Sequence, residues 1–87
     1  MKEDFLIAFD STQQALRAEL LLDYAGIDID IRPTPKDITA GCAMSIAFPT
    51  VFLEKVLGIF AAERVEYEGI YRCCEGKHVR MELPDDR

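Results

Sequence analysis

The chain has 87 residues, 49% of them hydrophobic and 30% charged, and its 10 basic and 16 acidic residues give a net charge of -6. This length predicts one domain with one thin core. The negative charge argues against nucleic acids and anionic membranes as partners. The sequence has no long apolar run and begins MKEDF, so we expect a cytoplasmic protein without a signal peptide.

The first predicted elements are a strand and a helix. Residues 5–9 (FLIAF) form a short apolar run, which is typical of a central strand. Ser11 and Gln14 fit the capping box, in which Gln14 reaches back to the cap, and Gly26 is a typical residue just after a helix. We therefore predict a helix that ends at about Ala25.

The predicted helix carries two apolar stripes. The first has small residues suited to close packing on a sheet and comprises Ala15, Ala18, Leu22 and Ala25. The second lies on another side of the helix and comprises Leu16, Leu20 and Tyr24. The second stripe is either the edge of a broad core face, which we favour, or a contact through which the chain forms a homodimer.

Four further elements follow in the chain. Residues 27–32 and 43–48 alternate between apolar and small or polar side chains, which predicts strands. Residues 53–60 have helical spacing of apolar positions, and residues 65–71 resume strand alternation with Gly69 as a bulge.

The order of these elements predicts an α+β fold, a ferredoxin-like βαββαβ sandwich. It would have a four-stranded antiparallel sheet with two helices on one face. We assign residues 1–74 to this domain and residues 75–87 to a polar C-terminal tail. The tail either frays or adds a short fifth strand through Val79, Met81 and Leu83.

The connection between the second and third strands is too long for an ordinary hairpin. Hairpin loops usually have about 2–5 residues, whereas about ten separate these strands, and long loops on small scaffolds often carry function. Pro33 and Pro35 stiffen its start, while Gly41 permits close backbone approach beside Cys42. Cys42 is therefore the predicted reactive residue.

Two interpretations of Cys42 remain open. Arg32 and Lys36 supply positive charge in the same loop, and cations near a thiol lower its pKa, which favours a reactive thiol at the surface. Alternatively, Cys42 precedes Met44 and Ile46 by two and four residues. If the strand starts early, all three side chains face the same side and Cys42 is buried in the core.

The remaining cysteines and the histidine indicate no further chemistry. The chain has three cysteines, too few and too widely spaced for a disulfide framework. Cys73 and Cys74 end the last predicted strand; we favour a structural role over that of a resolving thiol for Cys42. His78 belongs to no zinc-ligand pattern, and we predict no metal and no cofactor.

The long loop also carries the pattern RPTPxxIxxxCxxxI over residues 32–46. With ST at residues 11–12 and EGIY at residues 68–71, this pattern resembles the bacterial and archaeal selenium/sulfur carrier protein-like family, formerly a domain of unknown function. The resemblance covers about residues 4–73. Ala43 stands where glycine is common in that family.

The resemblance implies that Cys42 holds sulfur or selenium as a persulfide or selenosulfide, and that a donor protein and an acceptor protein are the partners. It further implies that Arg32, Pro33, Thr34 and Pro35 shape the site. On this hypothesis the protein is a carrier rather than a turnover enzyme.

Two other functions remain open. The first is a non-catalytic interaction or regulatory module that dimerises or binds a small ligand and has a structural Cys42. The second is a thiol-dependent enzyme, for which the sequence identifies no base.

Overall fold

The computed structural model describes residues 4–82, which form two helices and five strands. In chain order these elements are β1 (Asp4–Ala8), α1 (Thr12–Tyr24), β2 (Asp30–Pro33), β3 (Met44–Pro49), α2 (Leu53–Glu63), β4 (Gly69–Cys74) and β5 (Lys77–Arg80). A short 3-10 turn, Thr50–Phe52, leads into α2.

The strands form one sheet in the order β2-β3-β1-β4-β5, and every neighbouring pair is antiparallel. The predicted α+β class and antiparallel sheet are confirmed, and the order β2-β3-β1-β4 is compatible with the ferredoxin-like arrangement. The predicted number of four strands is wrong.

The fifth strand belongs to a tight hairpin. Glu75 and Gly76 connect β4 to β5, and both have positive φ angles, 52° and 80°. Two such residues make the turn type that matches the twist of paired strands. Residues 77–80 therefore pair with β4, Met81 follows the strand, and Leu83 lies outside the described residues.

Both helices pack on one face of the sheet. The core that they share with the central strands includes Ile7, Ile46, Phe48, Ile70, Ala15, Ala18, Leu22, Val56 and Phe60, all at most 2% exposed. The small stripe of α1 is thus confirmed as its sheet-facing side, with Ala25 partly buried against the same core.

The second stripe of α1 faces solvent, and the broad-core interpretation is wrong. Leu16, Leu20 and Tyr24 are 48%, 70% and 94% exposed. α1 also contacts α2, where Arg17 pairs with Glu63 at 3.6 Å. One sheet and one neighbouring helix leave the third side of α1 uncovered.

The predicted ends of α1 are confirmed, with one difference. The Ser11 side chain accepts a hydrogen bond from the Gln14 backbone N–H at 3.4 Å, but the Gln14 side chain accepts from Glu66 N–H instead of reaching back to the cap. At the other end Gly26 has φ 80°, and Ile27 N–H donates to Leu22.

Two strands begin later than predicted. Ile27 is held at the end of α1 by its bond to Leu22, so β2 starts only at Asp30. β4 starts at Gly69, which pairs in register with Ala8 and is therefore not a bulge.

The long loop covers part of the other face of the sheet. There Ile38 packs against a small cluster that comprises Leu6, Ala8, Ala47 and Tyr71. In the described part of the chain neither helix is long and apolar enough to cross a membrane.

Candidate functional site

Cys42 lies at the end of the long loop, just before β3. Its backbone N–H donates to the Phe9 carbonyl at 2.9 Å, just beyond the paired residues of β1 and β3, and its side chain lies in the core on the helix-covered face. The side chain is only 4% exposed. The expectation of a surface thiol is therefore wrong, and the alternative of a side chain buried in the core is confirmed, although β3 begins only at Met44.

The sulfur has two hydrogen-bond contacts in the described structure. The Thr12 hydroxyl lies 3.4 Å from Cys42 Sγ, and the Met44 backbone N–H donates to Sγ over 3.4 Å. Thr12 is also the first residue of the 13-residue α1, whose N-terminal end carries partial positive charge. The Met44 N–H donates to the sulfur, and the Thr12 hydroxyl can either donate to it or accept from it.

A shallow open pocket of about 290 Å³ lies against Cys42. Its lining consists of Thr12, Ile31, Arg32, Pro33, Cys42, Ala43 and Met44. The pocket thus joins the start of α1, the edge strand β2 and the end of the loop, and Cys42 is the one thiol among its lining residues.

The two cations of the loop are placed differently from the expectation. Arg32 lines the pocket, but its guanidinium pairs with Asp30 at 2.9 Å and with Asp4 at 3.3 Å. Lys36 is exposed and is not one of the residues that line the pocket. The groups that contact the sulfur are therefore the Thr12 hydroxyl and the Met44 backbone N–H rather than either cation.

Thr34 closes the base of the loop. Its backbone N–H donates to the Ala43 carbonyl at 2.8 Å, and its hydroxyl donates to the Cys42 carbonyl at 3.0 Å. Because that hydroxyl has only one hydrogen, the Ser45 hydroxyl, fully buried and 2.6 Å away, donates to Thr34. These bonds fix the backbone on both sides of Cys42, while Pro33 lines the pocket and Pro35 lies in the following turn.

Gly41 passes very close to the end of β1. A Cβ atom at this position would lie 2.6 Å from the Asp10 carbonyl oxygen, closer than any side chain tolerates. The Gly41 N–H also donates to the Asp10 carboxylate at 2.9 Å. The close approach expected of this glycine is present and aligns Cys42 with Phe9.

The middle of the loop is fastened across the opposite face of the sheet. Ile38, which is 5% exposed, follows a turn in which its N–H donates to the Pro35 carbonyl. Asp37 accepts from His78 twice, from the backbone N–H at 3.0 Å and from Nδ1 at 3.0 Å. The backbone bond is the main cause that lowers the pKa of Asp37 below its ordinary 3.8.

The remaining candidates lie apart from this pocket. Cys73 is an exposed free thiol on β4, and the side chain of Cys74 lies outside the described part of the structure. Among the described residues, no group of three or more Cys, His, Asp or Glu side chains is arranged to hold a metal ion.

Sequence reasoning missed three participants. Thr12 was expected only as part of the helix start. The signal that could have found it is that α1 begins directly after β1, and β1 is the neighbour of β3. Asp10 and the Asp37–His78 contact depend on where the loop crosses the sheet, and no local pattern carries that information.

The fold and the pocket define a small α+β protein in which a buried thiol, Cys42, lies at the N-terminus of a helix. A model of the family described as "Putative Se/S carrier protein-like" matches residues 4–72, and the chain belongs to this family. Comparison with curated proteins and with solved structures finds no match.

Proposed function

We propose that the protein carries sulfur or selenium on Cys42, as a persulfide or selenosulfide, between a donor protein and an acceptor protein. Membership in the carrier-like family supports this role. The observation that carries the assignment to Cys42 is that its sulfur lies in the pocket with donors at Thr12 and Met44. Neither the Thr12 hydroxyl nor the Met44 backbone N–H is a general base, which favours a carrier over a turnover enzyme.

The transfer needs no net oxidant. Cys42 Sγ attacks the outer sulfur of the donor's persulfide, a new S–S bond forms, and the donor's S–S bond breaks. The donor thiolate leaves and takes up the proton that Cys42 releases. A selenosulfide donor follows the same scheme with selenium as the outer atom. Delivery to the acceptor reverses these roles.

The burial of the sulfur determines how a donor must approach. Since Cys42 is 4% exposed, the donor's persulfide has to enter the pocket, so the surface around its mouth becomes covered. A standard interface buries about 800 Å² per partner, which corresponds to a radius of about 16 Å.

The first two residues of the exposed stripe of α1, Leu16 and Leu20, fall within that radius. Leu16 and Leu20 follow Thr12 along one side of α1, at about 6 Å and about 12 Å from it. We therefore assign the stripe to a donor protein with an apolar surface around its own persulfide. A homodimer through Leu16, Leu20 and Tyr24 is the competing use of this surface.

The direct test is sulfur loading by a cysteine desulfurase with cysteine, followed by intact mass. The informative variant is Cys73→Ser/Cys74→Ser, which leaves Cys42 as the only thiol of three. We expect a mass gain of one sulfur on this variant, reversible by a reducing agent, and none at this site in Cys42→Ser. Absence of the adduct from the Cys42-only variant would refute the carrier function.

A non-catalytic interaction module is the second candidate, and the burial of Cys42 together with the exposed stripe favours it. In that case the Cys42 thiol of the folded protein resists labelling, and Cys42→Ser changes stability alone. A homodimer that dissociates in Leu20→Glu would support this function.

A further inference from the structure

A second thiol lies on the sheet face opposite the Cys42 pocket. Cys73 is exposed and follows Tyr71 by two residues on β4, so its side chain shares the face on which Tyr71 packs against Ile38. In the pairing of β4 with β5, His78 is directly opposite Cys73. Side chains of directly opposite residues point to the same face, with Cβ atoms about 4.5–5.5 Å apart.

The type of pairing brings these two side chains close. The His78 backbone N–H donates to Asp37 Oδ2 at 3.0 Å, so it does not bond to Cys73 across the ladder. Pairs without mutual backbone bonds are the closer type in antiparallel sheets. His78 is thus the β5 side chain nearest to the thiol, while Arg80, next on the same face, is bound to Glu68 at 2.8 Å.

Asp37 fixes the imidazole. Its Oδ1 lies 3.0 Å from His78 Nδ1, and the same carboxylate holds the backbone of His78. A carboxylate on Nδ1 keeps the proton there, which leaves Nε2 as the acceptor nitrogen. The described structure therefore places a thiol, an imidazole and a carboxylate in contact with that imidazole on one face of the sheet.

We infer that Cys73, His78 and Asp37 form a second nucleophilic thiol site, with His78 as the base for Cys73 and Asp37 as the positioning residue for His78. A nucleophile next to an oriented base is the general arrangement of activated thiols. The site is open to solvent, so it takes small soft electrophiles, namely disulfides and the sulfane sulfur of polysulfides.

The reaction is a balanced exchange. Cys73 Sγ forms a bond to one sulfur of the electrophile as the electrophile's S–S bond breaks. The thiol proton passes to His78 Nε2 and from there to the leaving thiolate. The family match ends at residue 72, so Cys73 and His78 lie beyond it, and the inference does not depend on the proposed carrier function.

The test is the alkylation rate of Cys73 by iodoacetamide near neutral pH in Cys42→Ser/Cys74→Ser, where Cys73 is the only thiol. We expect His78→Ala to lower the rate about tenfold or more. Added imidazole restores it, because a free base replaces the missing one. Arg80→Gln, a change on the same strand and face, leaves the rate within about twofold and is the matched control.

Each outcome decides the inference. An unchanged rate in His78→Ala overturns it, and so does a lowered rate that imidazole fails to restore, since the histidine then acts only on structure. Asp37→Asn should lower the rate less than His78→Ala, with circular dichroism showing that both variants fold. Sulfur loading of Cys42 is a separate measurement and can fail or succeed on its own.

Discussion

The Thr12 hydroxyl lies 3.4 Å from the Cys42 sulfur, so helix α1 begins directly against the thiol. This contact connects two segments that are 30 residues apart in the chain. It also places the positive end of a helix at the pocket in which a donor's persulfide would react. The chemistry of Cys42 therefore depends on α1 as well as on the loop that contains it.

Removing this hydroxyl should slow the reaction of Cys42. Thr12→Val keeps the size of the side chain but removes a hydrogen bond that stabilises the ionised sulfur, so we expect about a tenfold slower reaction with a polysulfide. Thr12→Ser restores the hydroxyl and is the control. Equal rates in the Val and Ser variants would show that the contact has no part in reactivity. The rate is followed by intact mass on the variant with Cys42 as the only thiol.

A side chain at Gly41 should destabilise the fold. The Cβ of Gly41→Ala meets the Asp10 carbonyl at 2.6 Å, and the backbone must move to relieve the overlap, at a cost of about 1–3 kcal/mol. Gly58→Ala in α2 is the matched control, because no atom lies within 4 Å of its Cβ. That variant should gain about 0.5–1 kcal/mol from helix propensity. Urea unfolding measures both changes, and a Gly41→Ala as stable as the wild type would contradict the observed close approach.

Acid should weaken the attachment of the loop to β5. The hydrogen bond from the His78 backbone N–H lowers the pKa of Asp37 in the folded state below 3.8. Its contribution to stability is therefore fully present above about pH 3.8 and is lost as the pH falls through the lowered folded-state pKa. We expect the wild type to lose more stability than Asp37→Asn between about pH 5 and about pH 2.5. Asp28→Asn, a change at an exposed carboxylate, should follow the wild type in the same urea titrations.

A charge on the exposed stripe should impair the transfer of sulfur from a donor protein to Cys42 without affecting the fold. Leu20 is 70% exposed, so Leu20→Glu should change the free energy of unfolding by less than about 0.5 kcal/mol. Loading by a desulfurase should fall about tenfold, whereas loading by inorganic polysulfide should stay unchanged.

Val79 is an exposed apolar residue on β5, the edge strand at the other end of the sheet from β2. Val79→Glu is therefore the control for the Leu20 experiment. Equal desulfurase loading in Leu20→Glu and wild type would remove the stripe from the donor interface. A wild-type dimer that becomes a monomer in Leu20→Glu would instead assign the stripe to self-association.

Local patterns were sufficient for most of the fold. The apolar run at residues 5–9, the cap at Ser11 and the glycine at position 26 predicted β1 and both ends of α1, because each depends on neighbours in sequence. The fifth strand was only one of two alternatives. Its turn at Glu75 and Gly76 depends on backbone conformations that a polar tail does not make evident.

The site was less accessible to sequence reasoning. The sequence predicted the close approach at Gly41, yet the burial of Cys42 depends on its backbone contact with Phe9, beyond the ends of the paired strands. The cations of the loop gave a misleading signal, because Arg32 is bound to Asp30 on its own strand and to Asp4 on β1. The contact with Asp4, 28 residues away in the chain, is decided by tertiary packing rather than by local composition.

The connection between β2 and β3 belongs to both faces of the sheet at once. It packs Ile38 on one face and inserts Cys42 into the other, with only three residues in between. A larger group on the sulfur therefore pushes on a segment whose far end is anchored to β5 through Asp37. Under the proposed carrier function we therefore expect cargo on Cys42 to change the shape of the reverse face, where a partner that never touches the sulfur would distinguish the loaded protein from the empty one.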